Sequence, residues 1–398
     1  MLPELIVTVE RAIATAEELD DITLLARAAT QTSHRMLWRS AAFGAVHPAV
    51  VGALRRALDE LPADETELRC RVLVSLANEL RENASIAERT ALCDQAVAMA
   101  RRLDDPALLC DVLLHTAMAT WVPATADARL TTAEEAVALA RDIGDDHALV
   151  MALTVLTVIL GELGRPGDMR EALLGARTEA ARRRVVYAEL VLDEVDLAWA
   201  AAAGRFSECA AIVAAIEGRI ALMNFTGGDE ELTVDRHIDT FAYRIWQGRP
   251  LDAVPLVTAR IEAGYPMQPF AFAALCRGGQ RDEAAARFSA GELHAVLDQD
   301  LAFSTPLWCQ TAEAAFYLDD RDLARHAYER LTPYVGRSSG PDGLFFGPVD
   351  AFLALAAHTA GDSALAARHA DRALELIDDW RLPPVRDWLT DLRVSSGF

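Results

Sequence analysis

A helical stripe that returns about every 40 residues limits what this chain can fold into more than any other feature. Ala136, Leu139, Ala140 and Ile143 fall at i, i+3, i+4 and i+7, the spacing that puts side chains on one face of an α-helix. Ala96, Met99, Ala100 and Leu103 carry the same stripe 40 residues earlier (136 − 96). The words around the two stripes also agree, DQAVAMARRLDD against EEAVALARDIGDD, and Ala324, Ala327, Tyr328 and Leu331 repeat the pattern. Turns recur with it at Gly164, Gly204, Gly248, Gly279, Asp320 and Gly361, with successive spacings of 40, 44, 31, 41 and 41. Ser85 to Glu88 and Thr131 to Glu134 fit the S/T-x-x-E capping box and are expected to start helices. One helical hairpin per period, with its open apolar face covered by the next hairpin, is the arrangement of an α-solenoid. No segment alternates strictly, so no sheet is expected.

Composition removes several functions. The formal net charge is −22, so the average surface field repels a polyanion. The one strongly basic run, Arg182-Arg183-Arg184, reads as a solvated helix end, and direct nucleic-acid contact is not expected. All 38 basic residues are arginine, which rules out a Schiff-base lysine and a P-loop lysine. The six cysteines, Cys70, Cys93, Cys110, Cys209, Cys276 and Cys309, never form C-x-x-C and read as reduced, buried thiols. No run of 18 apolar residues is free of charge, so no membrane span is expected. The N-terminal MLPELIVTVERAIATAEELDD lacks the basic start and apolar core of a signal peptide, so a cytoplasmic location is expected.

The phrases AAGRF and A-x-A-L-A-R-x-I-G-D resemble tetratricopeptide repeats. The segment Gly343 to Leu376, GLFFGPVDAFLALAAHTAGDSALAARHADRALEL, resembles the last repeats of large bacterial LuxR-type and antibiotic-regulator-type proteins, in which an ATPase module precedes a repeat array. The resemblance implies an all-α, right-handed α-solenoid across residues 1–398, loosely divided into repeats 1–225 and 226–398, with a long loop at 333–348. It implies an array that senses or docks a protein or small ligand. The ATPase motif of those regulators needs a lysine, and their DNA-reading part is a basic helix-turn-helix. Neither is found in this sequence, so it is expected to correspond to the repeat array alone, either excised from such a regulator or free-standing.

Motifs for chemistry are sparse. Gly336-Arg337-Ser338-Ser339-Gly340 matches G-x-S-x-G, but a helix precedes it and Pro341-Asp342 follows, where a nucleophile elbow needs a strand before and a helix after. Gly347-Pro348 opens a helix without the glycine spacing of a phosphate cradle. The nine histidines include no H-E-x-x-H, and Cys110 with His115 cannot complete a zinc site. Asp104-Asp105 and Asp319-Asp320 read as turn and N-cap residues. Neither a catalytic residue, a metal nor a cofactor is expected.

The densest polar and aromatic cluster is DRHIDTFAYRIWQ. Asp239, Tyr243 and Trp246 share one helix face, and His237 and Arg244 another. With Trp199 and Trp308 from flanking units, a subset of these is expected to line a concave groove, because Tyr, Trp and Arg anchor recognition surfaces. Phe345 and Phe346 are expected to tuck back against the array, where they would close that groove if they meet its concave face. The expected function is a non-catalytic binding module. The alternatives are an enzyme using Asp239, His237 and Tyr243 as acid–base groups and a self-associating scaffold, which would make the chain a homo-oligomer.

Overall fold

A computed structural model describes residues 2–32, 43–62, 64, 66–222, 240–340 and 343–398. Among these the chain is all-α, with 21 helices and no strand. The helices are α1 (Leu2–Glu18), α2 (Ile22–Ala29), α3 (Pro48–Glu60), α4 (Glu67–Glu79), α5 (Ile86–Arg102), α6 (Pro106–Ala119), α7 (Ala126–Ile143), α8 (Asp146–Glu162), α9 (Pro166–Arg183), α10 (Val186–Ala202) and α11 (Phe206–Leu222). They continue as α12 (Phe241–Trp246), α13 (Val254–Glu262), α14 (Gln268–Arg277), α15 (Arg281–Arg287), α16 (Ala290–Ala295), α17 (Ser304–Leu318), α18 (Arg321–Leu331), α19 (Val349–Ala360), α20 (Ser363–Trp380) and α21 (Pro383–Ser396). No described helix is long and apolar enough to cross a membrane.

The helix breaks follow the turns read from the sequence. Gly164, Gly204, Gly248, Gly279 and Gly361 all have positive φ, and Asp319 does so at 54°. The paired aspartates divide the work. Asp104 and Asp319 take the left-handed conformation that ends one helix. Asp105 and Asp320 then accept backbone N–H bonds from the first turn of the next. Asp20 and Asp21 repeat the device. Ser85 caps α5 by accepting from the Glu88 N–H, as expected. Thr131 does not start a helix. It lies inside α7, which already begins at Ala126 after a 3-10 turn over Pro123–Thr125, and its hydroxyl donates back to the Asp127 carbonyl.

Two compact units divide the described residues. The first holds residues up to Leu156 together with Ala172–Glu189, and the second holds Thr157–Glu171, Leu190–Leu222 and the residues from Thr240 onward. In the first, α4 packs on α5 and α6 on α7, and α4 also packs on α6, its equivalent in the next hairpin. Small side chains permit this close stacking: Ala96, Ala100, Ala136 and Ala140 are buried at the interfaces. In the second unit α14 packs on α17 and α17 on α19 in the same manner. Its core is aromatic, with Phe241, Phe270, Phe345, Phe346 and Phe352 fully buried.

Candidate functional site

The second unit has its own loop inside it. After α18 and a 3-10 turn at Thr332–Tyr334, the chain turns inward at Gly336, whose N–H donates to the buried Asp350 carboxylate at 2.7 Å. The N–H of Ser338 donates to the Glu162 carbonyl, and that of Ser339 to the Gly347 carbonyl at 2.8 Å. Ser339 Oγ accepts from the Phe346 N–H at 2.7 Å. These bonds satisfy a backbone that no helix serves. Ser338 is fully buried, and its one hydroxyl hydrogen is shared between the carbonyls of Gly340 at 3.0 Å and Glu162 at 3.3 Å, so the serine of G-x-S-x-G fastens the loop.

The loop delivers Phe345 and Phe346 to the first helices of the hairpins. Phe345 stacks on Trp199 of α10, with ring centroids 4.2 Å apart. Phe346 meets Phe241 edge-on at 5.9 Å and lies 6.0 Å from Phe270 of α14. Trp246 donates its indole N–H to the Phe345 carbonyl at 3.3 Å. Trp199, Trp246, Phe345 and Phe346 are therefore brought together in a closed core and offer no open groove. Trp308 is also buried but lies apart from them, against Tyr334 and beneath Arg330. Tyr243 and Arg244 are half-buried, bonded to Gln247 and Thr240 respectively. His237 and Asp239 lie outside the described residues. Sequence reasoning missed the pair at the edge of this core. Arg277 forks onto Glu313 at 2.7 and 2.8 Å, between the rings of Trp246 and Trp388. Burial pulls the Arg277 guanidinium down, and the Glu313 carboxylate more than offsets it, so arginine stays charged in the interior.

The interior of the first unit is different. A cavity of about 310 Å³ lies among α2, α4 and α6, lined by Arg27, Thr30, Gln31, Glu67, Leu68, Arg71, Val74, Ser75, Asp111 and His115. Helical spacing builds it. Glu67, Arg71 and Ser75 are successive i, i+4 neighbours on α4, and Asp111 and His115 are i, i+4 neighbours on α6. Arg71 donates from Nε to Glu67 at 3.0 Å and from Nη1 to Asp111. Burial lowers the Arg71 pKa, but Asp111 and Glu67 together raise it above its ordinary value. His115 is 4% exposed, holds Nε2 3.5 Å from Asp111 Oδ1, and leaves its Nδ1 without a hydrogen-bond partner. One sequence signal could have found this cluster: Arg71 and Asp111 are 40 residues apart, one repeat, which is where stacked hairpins bring equivalent positions together.

Reactive groups are few among the described residues. No group of three or more His, Cys, Asp or Glu side chains is placed to hold a metal ion. The six cysteines are free and buried, and burial pushes the Cys93, Cys110 and Cys276 thiols up to about 12, which suppresses thiolate chemistry. No family model and no curated protein matches the chain.

Proposed function

We propose that this chain is a non-catalytic helical-repeat module that binds a small ligand or a protein segment in the polar cavity of the first unit. In this reading it is the sensor or interaction part of a bacterial transcriptional regulator of the tetratricopeptide-containing kind. The observation that carries the binding role is the set of charged and polar side chains that α4 and α6 turn into one cavity. Ser75 and His115 are buried there and Arg71 and Asp111 partly so, and withdrawing such groups from water costs free energy unless they are paired. Polar groups that converge on a concave space are the arrangement of a ligand site. The roughly 40-residue rhythm of left-handed turns and aspartate caps supports the repeat reading. The non-catalytic reading is supported by Ser75 and His115: they share the cavity, but with Nδ1 unpartnered His115 is not bonded to the serine as a general base would be.

The test is ligand-observed magnetisation transfer from the full chain to a library of charged and neutral fragments. Wild type is compared with Ser75→Met, which extends a side chain into the cavity. The expected result is a set of hits that weaken on the order of tenfold in Ser75→Met, about 1.4 kcal/mol, at unchanged helicity. Hits that bind both proteins equally would move the site elsewhere and defeat the proposal.

A further inference from the structure

The hydrogen-bonding capacity left unspent in the cavity identifies the kind of ligand. Resting on the reading of this cavity as the binding site, we propose that it takes a small organic anion with a hydroxyl-bearing body. Both carboxylates lining the cavity are already engaged by Arg71. The cations are not used up. Arg71 spends Nε and Nη1 on those carboxylates, and its Nη2 donates to no described residue. Arg27, at the end of α2, is exposed, and its guanidinium has no acceptor among the described residues. Only its backbone carbonyl is occupied, by the Thr30 hydroxyl and the Gln31 amide. The unspent groups at the mouth are thus guanidinium N–H donors, which suit a carboxylate or phosphate oxygen and form charge-assisted bonds with it.

The wall accounts for the rest of the ligand. Asp111 stands 3.5 Å from His115 Nε2, an arrangement that favours the proton on that nitrogen and leaves Nδ1 an acceptor. Nδ1 is buried and unpartnered. The Ser75 hydroxyl lines the cavity and offers a hydrogen-bond partner to a ligand hydroxyl, with the His115 ring beside it. Leu68 and Val74 supply apolar wall for the carbon skeleton. A cation would instead find its carboxylates occupied and two guanidinium groups opposing it.

Three six-carbon polyols of nearly equal size separate the cases: gluconate, sorbitol and glucamine carry a negative, a neutral and a positive end. Each is titrated into the full chain with ¹³C-labelled histidine rings, with the His115 signal assigned by its loss in His115→Gln. Gluconate should move that signal saturably, and sorbitol and glucamine should bind on the order of tenfold more weakly. Arg27→Gln, a change at an exposed position, should weaken gluconate by about the same factor with melting temperature unchanged. Arg71→Gln serves as a second variant with the same expected direction. If sorbitol or glucamine equals gluconate, or if both variants bind gluconate as wild type does, the anion assignment falls while the cavity remains a binding site. If none of the three moves His115 at saturating millimolar concentration, the anion assignment and the cavity's role fall together.

Discussion

The two units line their packed helices with opposite materials. In the first, the inward faces of α4 and α6 carry Arg71, Asp111 and His115 around an open cavity. In the second, the inward faces of α10, α12 and α14 carry Trp199, Trp246, Phe241 and Phe270, and the loop between α18 and α19 fills the space with Phe345 and Phe346. Stacked hairpins leave a face that must be covered or used. The second unit covers its face with its own chain, whereas among the described residues of the first a cavity remains.

The largest expected effect lies in the filled unit. Phe345→Ala deletes a fully buried ring from the Trp199 stack and should cost about 3–5 kcal/mol in chemical denaturation. A cost under about 1 kcal/mol would mean that the loop is a lid and not core. Glu313→Gln should cost a similar amount, about 3–5 kcal/mol, because it strands the Arg277 charge between two indoles. Arg277→Met combined with Glu313→Leu should recover most of that loss, and a double variant no better than the single one would refute this account of the pair.

Glycine substitutions sharpen the contrast. Gly164 and Gly144 both sit at φ 70°, so alanine costs about 1–2 kcal/mol at either from the left-handed backbone alone. At Gly164 a Cβ would also lie 2.8 Å from the Gly336 carbonyl oxygen and 2.9 Å from Trp380. At Gly144, in the first unit, it would meet open space. Gly164→Ala should therefore lower the melting temperature clearly more than Gly144→Ala, and equal shifts would mean that the loop is not held against α8. The smallest effect belongs to the open unit. Arg71→Gln breaks partly exposed pairs with Glu67 and Asp111 and should cost about 0–1 kcal/mol of stability, measurable by denaturation, even where it weakens binding.

Much of the fold was legible because it is local. Glycine and aspartate punctuation, Ala-rich stripes and the Ser85 cap act within a few residues, and the described helices break at the expected turns. Thr131 misled because its capping pattern competes with a 3-10 turn at Pro123–Thr125 that starts α7 five residues earlier. The candidate site was less legible because it depends on long-range placement. Periodicity grouped Tyr243 and Trp246 on one face but carried no information about a loop 99 residues away whose Phe345 carbonyl accepts from the Trp246 indole. Arg71 and Asp111 sit on separate helices, and no local pattern links them. Only stacking at the 40-residue period joins them.

The most direct test is a single chemical-shift map of the full chain with the strongest binder from the charged and neutral fragment library. The signals to follow are the His115 ring in the first unit and the indole N–H groups of Trp199, Trp246 and Trp308 in the second. The account predicts that His115 moves saturably and that the three indoles hold still. Saturable movement of the Trp199 and Trp246 indoles with His115 unmoved would contradict it, because the filled unit would then be the receptor.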